Sequence, residues 1–366
     1  MNISVFASRI ERVAKSIALD GNDFIFITPG ADLRYLTGYD ALPLERLTCL
    51  AVNSSGQAWM IVPTLEKPSA LAHGIPEIGI ELLDWQETQN PYELLAAATG
   101  PAQKPLINNL MWAEKAFGIR DVLGTQVALA GKILSDIRAV KTSDEIEALH
   151  AAGAAIDHVH GQIHKWLRPG RTEREVGRDI AEAILAAGHA TVDFVIVGSG
   201  PNGASPHHEL SDRVIESGEP VVIDIGGTMP SGYCSDSTRT YACGSVPSEY
   251  QEFYNTLQSA QAAASAHAKP GVTCESVDGA ARSVLEAGGL GAHFIHRTGH
   301  GIGMETHEEP YIVEGNATLL LPGHAFSIEP GFYFAGKYGA RIEDIVTCTQ
   351  TGIKSANLTT RDLVIL

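Results

Sequence analysis

Through residues 1–133, short apolar runs alternate with mixed apolar and polar stretches, a pattern of alternating strands and helices. Phe24 to Thr28, Leu47 to Val52 and Ala58 to Val62 read as strands, and Asn53-Ser54-Ser55-Gly56 reads as the turn joining the last two. The pattern predicts an α/β unit. No cluster of His, Asp and Glu interrupts its apolar runs, so its expected role is assembly or the shaping of a substrate entrance. A long helix then opens at Thr142-Ser143-Asp144-Glu145, where the Thr142 hydroxyl caps the first turn and Glu145 reaches back to it. That helix belongs to a second domain, expected over 134–366. Length agrees, since 366 residues exceed the ~250–300 over which one core usually keeps growing.

The second domain repeats itself. Pro169-Gly170-Arg171-Thr172 matches Pro270-Gly271-Val272-Thr273 at an offset of 101, and each leads into an Ala-rich helical stretch ending in Ala187-Gly188 or Ala287-Gly288. A strand introduced by glycine follows in both copies, Gly218 to Asp224 and Gly323 to Glu329, six residues from glycine to acid. Each copy then supplies another acid, Asp236 twelve residues after Asp224 and Glu343 fourteen after Glu329. A duplication of this kind predicts a pseudo-symmetric sheet backed by helices, with the acids converging near its centre.

Those acids pose a solvation problem. Asp224 lies among Val221, Val222, Ile223 and Ile225, a strand apolar on both faces, and an unpaired carboxylate buried there costs several kcal/mol or protonates. Glu329 and Glu343 stand in similar surroundings, and Asp236, in Tyr233-Cys234-Ser235-Asp236-Ser237, is a milder case. Arg239 and Arg341 can neutralise part of the charge but not four carboxylates. His300, in the glycine-bounded turn Gly299-His300-Gly301-Ile302-Gly303, completes a set of four carboxylates and one imidazole. Two dications balance four carboxylates, and the oxygen-rich set favours Mn²⁺, with Co²⁺ or Zn²⁺ as alternatives. Two such ions ~3.5–4 Å apart activate water for hydrolysis. No Ser/His/Asp or Cys/His arrangement has comparable support, and Gly299-x-Gly301-x-Gly303 lacks the spacing of a dinucleotide loop. His160 and His164 have zinc-like spacing, but Gly161 stands where a zincin carries glutamate, so both are expected to be structural or solvated.

Composition narrows the function classes. With 44% apolar and 19% charged residues the chain has an ordinary globular balance, and a net charge of −17 repels phosphate backbones, which argues against nucleic acid as a partner. Five scattered cysteines without a CxxC pair fit a reducing compartment. Charges arrive too early at the N-terminus for a signal peptide, and no run approaches the ~20 apolar residues that cross a bilayer, so a cytoplasmic location without membrane contact is expected.

The constellation resembles the proline-specific "pita-bread" metallopeptidases, the prolidases (Xaa-Pro dipeptidases) and Xaa-Pro aminopeptidases. The likeness covers nearly the whole chain: Leu33-Arg34-Tyr35-Leu36-Thr37-Gly38 resembles the creatinase-type N-terminal domain and Ile137-Arg138-Ala139-Val140-Lys141 the usual junction. It implies an α/β (α+β) chain, a creatinase-like N-terminal domain followed by a pseudo-symmetric pita-bread catalytic domain. It further implies five metal ligands, Asp224, Asp236, His300, Glu329 and Glu343, with Asp236 and Glu343 bridging the ions. By the same resemblance His207 contacts the scissile region while His208 points elsewhere, His307 donates to the developing oxyanion, and His296 lines the proline pocket. Glu329 is the implied proton shuttle. Arg341 is expected to orient Glu343 or its neighbours, and Tyr333 to help fix the site, both beside the substrate. The implied substrates are small peptides with proline second, and the implied assembly is a homodimer.

One departure leaves dipeptidase against aminopeptidase open. Some archaeal-type prolidases carry an arginine after His-Glu-x-Pro that holds a dipeptide's carboxylate, whereas Tyr311 follows His307-Glu308-Glu309-Pro310 here. A metal-independent creatinase-like amidinohydrolase or a non-catalytic binding protein on the same fold are the competing readings, and neither needs five ligands. A methionine aminopeptidase shares the metal logic but usually lacks such an N-terminal domain.

Overall fold

Phe6, Ile10, Val13, Ala14 and Ile17 are all buried along the helix Ile3–Leu19, the spacing of one apolar helical stripe. This helix begins the region that a computed structural model describes, residues 3–366. The chain divides into one unit ending at Arg138 and another of Ala139–Leu366. The expected boundary at 133/134 falls inside the helix Gly131–Ala139. That helix packs with the first unit: Leu134 and Ile137 are buried, and the Ile137 carbonyl accepts from Arg12 Nη2 at 3.2 Å.

The first unit is a six-stranded mixed sheet in the order Glu81–Trp85, Ala58–Pro63, Cys49–Asn53, Phe24–Ile27, Pro105–Ile107, Ala128–Leu129. The hairpin read from sequence pairs Cys49 with Ile61 and Val52 with Ala58, across a turn in which Asn53 Oδ1 accepts from the backbone of Ser55 and Gln57.

In the second unit the duplication becomes geometry. The helices Glu173–Ala186 and Cys274–Ala287 are each 14 residues long, capped by Thr172 and Thr273. Gly170 and Gly271 precede them at φ 87° and 85°, and the capping threonines form matching bridges to Val214 and Leu319. Each half lays a helix on its own sheet. One sheet has the order Val364–Ile365, Cys234–Cys243, Glu219–Thr228, Thr191–Ser199; the other runs Glu308–Ile312, Gly299–Gly301, Ala325–Ile328, Asp344–Cys348, Ile353–Ser355. The halves meet along Cys234–Cys243: Thr240 Oγ1 donates to the Arg341 carbonyl at 3.0 Å, and Glu343 N–H to the Thr238 carbonyl at 3.1 Å. Ser143–His160 packs over the same strand and starts with the reciprocal Thr142/Glu145 capping box.

Two placements differ from the sequence reading. Glu329 and Glu343 lie just outside strands, after Ala325–Ile328 and before Asp344–Cys348. Pro330, which has no N–H for a ladder, ends the first of these. Among the described residues no helix is long and apolar enough to cross a membrane.

Candidate metal centre

Antiparallel pairing sets Asp224 opposite Thr238 and Gly226 opposite Asp236, so alternation brings Asp224, Asp236 and Thr238 to one face of the two central strands. From the other half, the segment after Arg341 carries Glu343 to the same place, where Thr238 Oγ1 donates to Glu343 Oε2 at 2.7 Å. His300 comes from a three-residue strand wedged between two others. A Cβ on Gly299 would stand 1.9 Å from the Ser327 carbonyl oxygen and one on Gly301 2.2 Å from that of Glu309, so only glycines let the backbones close around His300.

The result is a cluster of ligand-type atoms. Asp224, Asp236 and Glu343 present carboxylate oxygens within 4.8 Å of one another, and so do the donor atoms of His300, Glu329 and Glu343. Glu343 belongs to both groups. Asp236 reaches toward the second as well, with Oδ2 3.7 Å from His300 Nε2. A third group, Asp236, His300 and His307, brings in a histidine expected only as an oxyanion donor.

Three observations test whether these residues fit dications. Asp224 Oδ2 is held by Arg341 Nη2 at 2.5 Å and Glu343 Oε2 by Thr238, yet Asp224 Oδ1 and Glu343 Oε1 are buried and, among the described residues, have no hydrogen-bond partner. Buried carboxylate oxygens left bare in this way need a cation. Secondly, His300 Nδ1 lies 3.1 Å from the Gly301 carbonyl oxygen, which makes it the protonated nitrogen. Its Nε2 lies 3.1 Å from Glu329 Oε1, so the two atoms stand close enough to hold one cation between them. Thirdly, burial first and neighbouring carboxylates second push Asp236 and Glu343 well above the usual carboxylate range. One buried guanidinium does not offset four acids, and two dications do. The donor set fits the metals.

Glu329 is set apart. Burial works to raise its pKa, but contact with His300 and the charges of His296 and Arg341 hold it down at about 2. Its Oε1 accepts from Ser327 Oγ at 2.9 Å, and the residue lines the cavity.

A cavity of about 1040 Å³ opens onto the cluster. His207 is exposed in its wall, and His208, which lines the cavity as well, has its Nε2 bound to Glu173 Oε2 at 2.7 Å. His307 fronts the same space with its ring centroid 3.9 Å from that of His300; desolvation first, then His300, lowers its pKa to about 4, so the ring is neutral at physiological pH. His296 lines the cavity with its polar atoms occupied, Nδ1 by the Arg297 carbonyl at 2.7 Å and Nε2 by Tyr333 Oη at 2.9 Å. What it offers is a ring surface.

Tyr333 stands behind the wall, and Arg341 forms part of the lining. The Tyr333 hydroxyl accepts from Arg341 Nη1 at 2.9 Å and faces His296 on its other side. Arg341 Nε donates to Thr238 Oγ1 at 2.9 Å, so the guanidinium orients Asp224 directly and reaches Glu343 only through Thr238. Both hold other side chains in place. Arg239, read as a neutralising partner, is spent on Asp344 and four backbone carbonyls. Asp236, read as less buried, is 3% exposed because Cys234–Cys243 is covered on both faces. Thr238 and Ser327 were missed by sequence; Thr238 stands two residues after Asp236, on the same strand face. His160 is buried between Tyr241 Oη and the Ser237 carbonyl, and His164 is exposed, so the pair does not converge.

The description "Metallopeptidase family M24" matches residues 147–350, and "Creatinase/Prolidase N-terminal domain" matches 9–140. The chain is 48% identical over 363 residues to "Probable dipeptidase PepE" of Mycobacterium tuberculosis, covering 99% of this chain and 97% of that protein. It is 34% identical over 369 residues to "Xaa-Pro dipeptidase" of Lactobacillus delbrueckii subsp. lactis, covering 98% of each. The crystal structure of dipeptidase PepE from Mycobacterium ulcerans superposes with a TM-score of 0.96 at 47% identity, covering 100% of this chain and 99% of that one.

Proposed function

The chain belongs to metallopeptidase family M24, and from that premise we propose that it is a dinuclear-metal exopeptidase hydrolysing the Xaa-Pro bond at the N-terminus of dipeptides or short peptides. The observation that carries this reading is the pair of bare, buried oxygens, Asp224 Oδ1 and Glu343 Oε1, inside a cluster of four acids and a histidine. Asp224, Asp236, His300, Glu329 and Glu343 are the proposed ligands, with Asp236 and Glu343 shared. Mn²⁺ is proposed on the hardness of the donor set. When bound, the two ions supply an activated water and polarise the scissile carbonyl.

The chain's own groups do the rest. Glu329 Oε2, opposite the oxygen tied to Ser327, takes the proton from the attacking water and passes it to the departing proline nitrogen. His307, neutral, donates to the carbonyl oxygen as charge develops there, and His207 faces the scissile bond. Proline's tertiary amide has no N–H to be grasped, so shape must recognise it, and the His296 ring, fixed by Tyr333 and Arg297, is the proposed wall against the pyrrolidine. A cytoplasmic setting is supported by five free, buried cysteines. The homodimer rests on the family resemblance and is checked by light scattering of the purified protein.

The test is release of the N-terminal residue from Ala-Pro and Ala-Pro-Ala by chelated enzyme, Mn²⁺-restored enzyme and an Asp236→Ala variant. Metal-restored cleavage that Asp236→Ala abolishes is expected. Cleavage in chelator, or none by loaded enzyme, overturns the proposal in favour of a creatinase-like or non-catalytic protein.

A further inference from the structure

Between the strand that ends at Ser199 and the residue Ser211, the chain supplies Ser205, Pro206, His207, His208, Glu209 and Leu210 to the cavity wall. Apart from the 3₁₀ turn Gly200–Ala204 this stretch has no regular element. A loop without ladder hydrogen bonds holds a side chain still only if other groups fasten it.

Here one carboxylate does most of the fastening. Glu173, the first residue of the helix Glu173–Ala186, is 0% exposed and stands behind the lining. Its Oε1 accepts from the Ser199 N–H at 2.8 Å, the Ser199 hydroxyl at 2.7 Å and Asn202 Nδ2 at 3.1 Å. Its Oε2 accepts from Asn202 Nδ2 at 3.1 Å, Ser211 Oγ at 2.5 Å and His208 Nε2 at 2.7 Å. Burial works to raise the Glu173 pKa, but the hydrogen bonds from Ser211, Ser199 and His208 outweigh it and keep the group ionised.

The half-domain does not need this acid in order to fold. In the duplicated half the residue after the capping threonine is Cys274, equally buried, and its helix is docked by matching backbone bonds. Glu173 and Arg174 N–H donate to the Arg213 and Ser211 carbonyls, while Cys274 and Glu275 N–H donate to those of Thr318 and Asn316. What the carboxylate adds is a hold on the loop, and through it on His207. The Pro206 carbonyl lies 3.4 Å from Arg341 Nη1 and Nη2 on one side of His207, and His208 is bound to Glu173 on the other. His207 itself is exposed, close enough to His296 and His307 for a charge on it to lower the pKa of both. The other half holds its own cavity histidine in the same way with the charges exchanged: His307 is followed by Glu308, whose carboxylate pairs with buried Lys141.

Resting on the Xaa-Pro exopeptidase reading, in which His207 faces the scissile bond, we propose that Glu173 is a positioning residue. By binding Ser199, Asn202, His208 and Ser211 together, it holds the cavity loop in the arrangement that sets His207 against the substrate. Glu173 takes no part in the chemical step and acts through His207.

The experiment is a double-mutant cycle on metal-loaded protein, with kcat and KM for Ala-Pro, metal content and melting temperature measured for wild type, Glu173→Gln, His207→Ala and the double variant. Glu173→Gln turns one acceptor oxygen into a donor that faces other donors, and kcat/KM should fall roughly 10- to 100-fold, as a misplaced contact group does, with metal content unchanged. In the His207→Ala background the same substitution should change kcat/KM less than about threefold, because the group it positions is gone. If Glu173→Gln does not fold, the cycle is run with His208→Ala, which leaves Glu173 its other donors. His208→Gln, whose amide nitrogen can still donate to Glu173, should recover most of what His208→Ala loses. Equal losses in both backgrounds, an unimpaired His207→Ala, or a His208→Gln as impaired as His208→Ala overturn the assignment and leave the exopeptidase reading intact. A loaded wild type that does not cleave Ala-Pro or Ala-Pro-Ala overturns both.

Discussion

His307 separates a metal-holding role from a chemical one. It lies within ligand distance of Asp236 and His300, yet its ring fronts the cavity and stays neutral down to about pH 4. As an oxyanion donor it should matter to kcat: His307→Ala is expected to lower kcat by about 10²–10³ with metal stoichiometry unchanged. Since its protonation falls only below about pH 4, the acid limb of the rate profile above pH 5 should keep its shape in the variant. Loss of bound metal measured by mass spectrometry would instead make His307 a ligand. At this scale the sequence was most informative where chemistry and surroundings disagreed, as for Asp224 among valines and isoleucines. It was least informative for hydroxyls. Thr238 and Ser327 look like ordinary strand formers, and nothing in their composition says that they donate to Glu343 and Glu329. Asp236 was misjudged because its serine and threonine neighbours read as solvent-facing, whereas Ser235, Ser237, Thr238 and Thr240 are all buried with it.

Elements explain how those residues are delivered. The matched helices after Thr172 and Thr273 were legible because caps, glycine turns and helix length recur together. The strand Gly299–Gly301 was harder, since three residues carry no periodicity and the motif Gly-His-Gly reads as a turn. Its glycines make sense only once the Ser327 and Glu309 carbonyls are seen pressing on both sides. Gly299→Ala should therefore act on the whole element, because a methyl 1.9 Å from a carbonyl oxygen cannot be absorbed by a side-chain rotation. Overpacking typically costs about 1–3 kcal/mol, and a backbone clash belongs at or above the upper end. A lower urea midpoint and a second metal that no longer binds stoichiometrically are expected. A variant with wild-type stability and two tightly bound ions would mean that the strand can shift without moving His300.

For the whole molecule, the cluster makes stability depend on metal and on pH together. Asp236 and Glu343 are raised above their ordinary range by burial and by neighbouring acids, while in the unfolded chain carboxylates titrate near about 4. The metal-free folded chain thus keeps protons that the unfolded chain has released. That stability is fully present below about pH 4 and is lost as pH rises through the folded values. Glu329 has the opposite sign, but its window, between about 2 and 4.5, lies below the useful range. His160, pushed down to about 3 by burial and then by Arg239, destabilises the fold as pH falls below 6.5, equally with or without metal. The difference between chelated and loaded enzyme therefore isolates the carboxylates. Ions bound only by the folded chain add about 2.7 kcal/mol at one hundred times their Kd, and they bind better as the ligands lose protons. The gap in melting temperature between Mn²⁺-loaded and chelated protein should accordingly widen from pH 5 to pH 8. A gap that stays constant would mean that the chain's own cations already neutralise the cluster. Arg341 would have to do that largely alone, and the physical basis for two ions would be gone.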